Sequence, residues 1–207
     1  MIKTFVNAVC AGIFIGIAGT VYLATANGMF GAVLFGFGLM MIVCCKYSLF
    51  TGAVGYLVNH GRDFFSYLGG LAVIWAGNLV GTFLVGTAIR CSRTALSVSE
   101  KVSRISQAKI DDSWQSLLIL AFFCGILMYC AVETSRRTDL KSIFRFAGLF
   151  LPVCIFILSG FEHCIANMFY FSLAGVWSVK TLGLVLLMTL GNALGGMLLP
   201  AIDKIRN

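Results

Sequence analysis

Charged residues along this chain fall in short clusters separated by long apolar runs. Charge-free stretches cover Thr4–Cys45, Phe64–Ile89, Ser113–Val132, Phe146–Phe161, Cys164–Val179 and Thr181–Ile202. A helix that spans a bilayer needs about 20 predominantly apolar residues, so the pattern predicts six transmembrane segments. They lie near 5–24, 30–60, 64–89, 113–132, 146–172 and 181–202. Segments two and five are too long for simple spans, because about 30 helical residues would run roughly 45 Å. Each is also interrupted, at Lys46–Gly52 and at Ser159–His163. Segments three and six then carry the same element, Gly77-Asn78-Leu79-Val80-Gly81 and Gly191-Asn192-Ala193-Leu194-Gly195.

The distance from interruption to Asn is similar in the two halves, Thr51 to Asn78 and His163 to Asn192. Three segments per half require the second copy to be inverted in the membrane. The predicted fold is therefore all-α, a single transmembrane domain over 1–207 built as an inverted 3+3 repeat. The first repeat covers about 4–90 and the second about 113–202. Interrupted segments at matching places in inverted repeats point to a substrate site near the midplane, since irregular backbone survives at that depth only where it lines a cavity. A buried Asn needs hydrogen-bond partners, and the open backbone of the neighbouring interruption is the expected one. The competing reading is a pair of glycine-kinked helices packed tightly together.

Composition agrees with a membrane location. The chain is 59% apolar and 11% charged, against about 25% charged in soluble domains, and almost nothing is left over for a soluble domain. No cleavable signal peptide is expected, because the first apolar run leads straight into the second. Seven of the eight cysteines lie within apolar runs, where Cys behaves as a small hydrophobe; neither a disulfide framework nor a zinc site is expected. The net charge of +7 reports orientation and anionic lipid rather than nucleic acid. With the N-terminus cytoplasmic, eight Lys or Arg fall inside and six outside, five of the outer ones in the connection 90–112. Both termini are expected to be cytoplasmic, in the cell's inner (plasma) membrane.

One pair stands out chemically. Between Phe146 and Val179, Glu162 and His163 are the only ionisable residues apart from two thiols and one phenol. Ionisable groups at bilayer depth usually mark an ion or proton pathway. The other histidine, His60, sits beside Asn59, Arg62 and Asp63 and is read as a loop residue. Glu133, Arg136 and Arg137 are read as an interfacial anchor. Two histidines far apart do not support haem or metal, so no cofactor, no metal site and no enzymatic activity are expected.

Gly160-Phe161-Glu162-His163-Cys164-Ile165-Ala166-Asn167-Met168-Phe169 and Leu49-Phe50-Thr51 resemble the motifs of the formate/nitrite transporter family, aquaporin-like pentameric channels for small monovalent anions. The resemblance implies that His163 is the central pore histidine and Thr51 its partner from the opposite interruption. It implies a hydrophobic constriction of Leu39, Leu49 and Phe50, and another of Phe35 and Phe156. Asn78 and Asn192 would support the interruptions, and each protomer of a homopentamer would hold its own pore. The chain departs from the family pattern at Ser48, where an acidic residue is usual, at Lys46, where a small residue is typical, and at Met128-Tyr129, where an Asn follows Gly-Ile-Leu. Lys46 is read either as a lysine reaching to the interface or as a fixed positive charge beside the pore.

The expected function is a channel or proton-coupled transporter for small monovalent anions such as formate, nitrite or hydrosulfide. Lys109 is expected to attract the anion, with Glu162 and Asn167 holding the interruption. The partners are the anions, protons and the lipid bilayer. An aquaporin-like facilitator of neutral solutes is the alternative, and a membrane redox subunit is a weaker rival.

Overall fold

The computed structural model describes residues 1–206. The helices are α1 (Ile2–Ala24), α2 (Gly28–Cys44), α3 (Phe50–Ala53, continued by a 3-10 turn over Val54–Asn59), α4 (Phe64–Arg90) and α5 (Ala95–Asp111). They are followed by α6 (Trp114–Arg136), α7 (Ser142–Leu158), α8 (Cys164–Ala174) and α9 (Val179–Arg206). Four of these, α1, α4, α6 and α9, are long and apolar enough to cross a membrane. The predicted segment two corresponds to α2 plus α3, and segment five to α7 plus α8, each with non-helical backbone between its parts.

The bundle rests on two close helix pairs, α1 with α4 and α6 with α9. Small residues allow the approach, as is usual where lipid removes the hydrophobic drive between helices. A methyl group added at Gly81 would overlap the Val9 carbonyl, and one at Gly195 would overlap that of Phe122. At Gly77 a Cβ would sit 2.6 Å from the Ala8 methyl, and at Gly191 it would sit 2.6 Å from that of Ala121. The glycines of both Gly-Asn-x-x-Gly elements thus face the partner helix across a gap that admits only hydrogen.

The ends of α2 and α7 are built alike. Tyr47 N–H donates to Ile42 O (2.9 Å) and Lys46 N–H to Val43 O (3.1 Å). Phe161 N–H donates to Phe156 O (2.9 Å) and Gly160 N–H to Ile157 O (3.2 Å). Both are Schellman caps, which need a left-handed residue after the helix. Gly160 supplies it at φ 68°, whereas α2 uses Lys46 at φ 57°, the only described non-glycine residue with positive φ.

The connection 90–112 departs from the expectation of a charged loop: it folds as α5, with Val98, Val102 and Ser106 buried. Lys101 fixes it to the bundle, its Nζ donating to Tyr22 O (2.8 Å) and Thr25 O (3.0 Å) at the end of α1.

Candidate pore site

The two interruptions are each clamped by one buried asparagine. Asn78 Oδ1 accepts from Phe50 N–H (2.9 Å), while its Nδ2 donates to Ser48 O (2.9 Å) and Ala8 O (2.8 Å). Asn192 Oδ1 accepts from Cys164 N–H (2.8 Å), while its Nδ2 donates to Glu162 O (2.8 Å) and Ala121 O (2.8 Å). Both side chains are fully buried; in each clamp two bonds satisfy backbone groups of the interruption that lack a helical partner, and the third ties the amide to a carbonyl in the middle of α1 or α6. The matching bonds set Leu49 against His163, each the residue before the first turn of its short helix. Sequence spacing had set Thr51 against His163. Thr51 lies two residues further on, inside the first turn of α3, and from there it reaches across.

His163 and Thr51 meet at Nε2 and Oγ1, 2.9 Å apart, and both are buried. His163 is also the N-cap of α8, its Nδ1 accepting from Ala166 N–H (3.1 Å). A nitrogen that accepts this bond carries no proton, so the neutral ring holds its hydrogen on Nε2 and donates it to Thr51. An imidazolium has donors at both nitrogens and would have to give up the cap. The Phe156 ring stacks on His163 (centroids 5.5 Å, 27° between planes), and Phe35 meets Phe156 edge-on at 5.9 Å.

Two cavities approach the interruptions, called outer and inner after the orientation the sequence predicts. The outer, about 270 Å³, is lined by Tyr22, Lys109, Phe156, Glu162, His163 and Asn167 among others, so His163, though only 2% exposed, forms part of a cavity wall. The inner, about 490 Å³, is lined by Leu39, Lys46, Ser48, Leu49, Ser135 and Arg136 among others. Phe35, Phe50 and Thr51 line neither and stand buried between or beside them. The predicted constriction residues are thus divided: Phe156 reaches the outer cavity, and Leu39 and Leu49 the inner.

Lys109 is not a free cation, as the sequence had suggested. Its Nζ donates to both oxygens of Glu162, at 2.7 and 2.6 Å, and Glu162 Oε2 also accepts from Asn167 Nδ2 (2.7 Å). The Lys109 side chain is 14% exposed and that of Glu162 6%. The pair neutralises itself while tying α5 to the residue beside His163. The sequence does not point to several polar cavity residues, among them Tyr22, Asp112 and Tyr170 in the outer cavity and Ser135 in the inner, and it assigns Arg136 only as an anchor. Arg136 does lie over the Tyr56 ring (4.5 Å), as an anchor would. His60 stacks on Tyr67 at 3.9 Å in the turn before α4, away from both cavities. Among the described residues no cluster of three or more His, Cys, Asp or Glu could hold a metal ion.

Comparison with known proteins follows the same line. The formate/nitrite transporter family profile matches residues 1–203. The chain is 30% identical over 188 residues to the formate channel FocA of Escherichia coli (strain K12), an alignment that covers 81% of this chain. It spans 65% of FocA's own length. It is also 30% identical to a probable formate transporter of Methanothermobacter thermautotrophicus, over 96% of this chain and 86% of that one. Among solved structures, a pentameric formate channel with formate bound has a TM-score of 0.82 at 24% identity, covering 98% of this chain and 95% of that chain. An FNT family ion channel has a TM-score of 0.85 at 22% identity, covering 99% and 90%; both likenesses are of fold. A family match along nearly the whole chain, with relatives at 30% identity, places it plainly: this chain belongs to the formate/nitrite transporter family.

Proposed function

We propose that the chain is a membrane channel or proton-coupled transporter for small monovalent anions, formate foremost, with nitrite and hydrosulfide in the same class. The observation that carries the reading is the His163–Thr51 bond at 2.9 Å, joining the two interruptions, with His163 in the wall of a cavity of about 270 Å³. In this reading the two halves form an inverted repeat with broken second and fifth spans, supported by the matched asparagine clamps and matched caps. Both termini are cytoplasmic in the inner membrane, and five protomers assemble with one pore each. The likeness to formate channels, one of them solved as a pentamer with formate bound, supports the substrate and the assembly.

Physics favours transient neutralisation of the anion. Moving a bare carboxylate into a dry constriction costs several kcal/mol even after relaxation. Protonating an acid of pKa near 4 at pH 7 costs about 4 kcal/mol. The Nε2–H of His163 and the Thr51 hydroxyl offer donors to the anion at the narrowest point, while its proton arrives through water in the outer cavity. Leu39, Leu49 and Phe50 on one side, and Phe35 and Phe156 on the other, keep the passage dry. Glu162, held by Lys109 and Asn167, supports the backbone rather than meeting substrate.

The test is uptake of formate, nitrite, hydrosulfide, acetate and lactate into proteoliposomes at pH 5.5 and 7.5. Formate-sized anions are expected to enter faster than lactate by at least tenfold, with faster entry at the lower pH. Swelling driven by neutral solutes without any anion uptake would favour the aquaporin-like facilitator instead.

A further inference from the structure

The two cavities differ in charge, and the difference comes from residues in which this chain departs from its own internal pattern. The outer cavity holds Lys109, Glu162 and Asp112. Lys109 is bound to both oxygens of Glu162. The Asp112 carboxylate is turned to the start of α6, accepting from Ser113 N–H (2.7 Å) and Ser116 Oγ–H (2.7 Å). One cation thus faces two anions. The inner cavity holds Lys46 and Arg136 and no acidic residue. Among the described residues neither forms an ion pair, the pairs being Lys109–Glu162, Arg137–Asp139 and Arg206–Asp203; the nearest carboxylate to Arg136 on α6 is Glu133, which lies outside the cavity and accepts from Tyr56 Oη (2.7 Å) beneath the guanidinium.

Lys46 occupies a backbone position that disfavours it. It closes α2 at φ 57°, where the equivalent cap of α7 has Gly160 at φ 68°. Glycine takes this conformation without steric cost and other residues do not. A strained residue at a cavity wall is a pointer to function when the surroundings hold it there. The strain here sets a long cationic side chain at the wall of the 490 Å³ cavity, beside the hydroxyl residues Ser48 and Ser135 and next to Leu49.

We infer that Lys46 and Arg136 form an anion-capture site at the inner mouth, which makes this chain side-asymmetric: it takes up small monovalent anions at lower concentration from the Lys46 face than from the Lys109 face. The inference rests on the anion-transport reading above and deepens it. A cavity wall with an excess of one sign and low-dielectric surroundings concentrates counter-ions, and the inner pair, with Lys46 free of any carboxylate partner and Arg136 offset only by Glu133 outside the cavity, does so while the compensated outer group does not. For a passive pathway at equal pH and no voltage, detailed balance fixes the ratio of maximal rate to half-saturation to be equal from both faces. Tighter capture inside therefore comes with a proportionally lower maximal rate from that side.

The experiment measures initial formate flux in proteoliposomes whose orientation is scored by protease access to a C-terminal tag. Formate is supplied from one face at a time, at roughly 10 mM and 1 M ionic strength, where the Debye lengths are about 30 and 3 Å. The expected half-saturation is roughly three- to tenfold lower from the Lys46 face at low salt, with the gap closing at high salt. Lys46→Gln and Arg136→Gln should each bring the ratio of the two half-saturations towards one, and Lys46→Arg should keep it. A wild-type ratio of one at low salt, or a ratio that survives both Gln variants, overturns the inference while leaving the anion reading intact. Absence of formate flux from the wild-type protein overturns the anion reading and this inference with it.

Discussion

Replacing Lys109 with methionine is expected to destabilise the protein by about 3–5 kcal/mol, the usual cost of leaving one member of a buried ion pair without its partner. Glu162 is 5% exposed and receives two hydrogen bonds from Lys109 and one from Asn167. Methionine keeps most of the lysine's volume but removes the charge, so the carboxylate is left with the Asn167 amide alone. The sign of the second substitution is the informative part. Glu162→Gln in the Lys109→Met background removes the orphaned charge while retaining an acceptor for Asn167, and most of the lost stability should return. Thermal unfolding of the detergent-solubilised protein reads both. Equal midpoints for the single and double variants would show that the pair contributes through packing and not through charge.

Asn192→Leu should be at least as damaging. The side chain is fully buried and satisfies Cys164 N–H, Glu162 O and Ala121 O. Leucine is of similar size but leaves Cys164 N–H and Glu162 O without partners, where each unsatisfied group costs on the order of 1–3 kcal/mol and water cannot replace the bond in the bilayer interior. Both flank His163, so the loop carrying the imidazole is released along with the start of α8. The expected outcome is a sharp fall in folded protein recovered in detergent, with no formate flux from what remains. Asn78→Leu removes the equivalent bonds to Phe50, Ser48 and Ala8 and should cost a similar amount. A wild-type midpoint for either variant would mean that the clamps are dispensable.

These two sites also mark what could be read from sequence. The long charge-free runs announced the four helices of spanning length, because lipid leaves little freedom in how a polar group is placed. The repeated Gly-Asn-x-x-Gly elements announced both close helix packing and the need for an amide partner. The register across the halves was less legible. Spacing alone set Thr51 against His163, yet the clamp bonds set Leu49 there, because a two-residue difference decides which side chain leaves the first helical turn towards the centre. The Lys109–Glu162 pair joins residues 53 apart in the chain, and nothing local to either residue signals it. Helix α5 was hidden by its charge, although Val98 and Val102, then Ile105 and Lys109, recur at helical spacing. The inner cation pair was half visible. Lys46 drew notice as a departure, while Arg136 passed as one of several basic residues at a membrane edge.

The central claim is that a small anion passes by His163 and that this imidazole governs the proton dependence of its passage. The most direct measurement is the pH profile of formate flux, from pH 5 to 8, through wild-type protein and His163→Asn in otherwise identical proteoliposomes. Asparagine can still cap α8, so the variant should fold, and its profile is expected to flatten or shift by at least one pH unit. If His163→Asn carries formate with the wild-type profile, the account is contradicted.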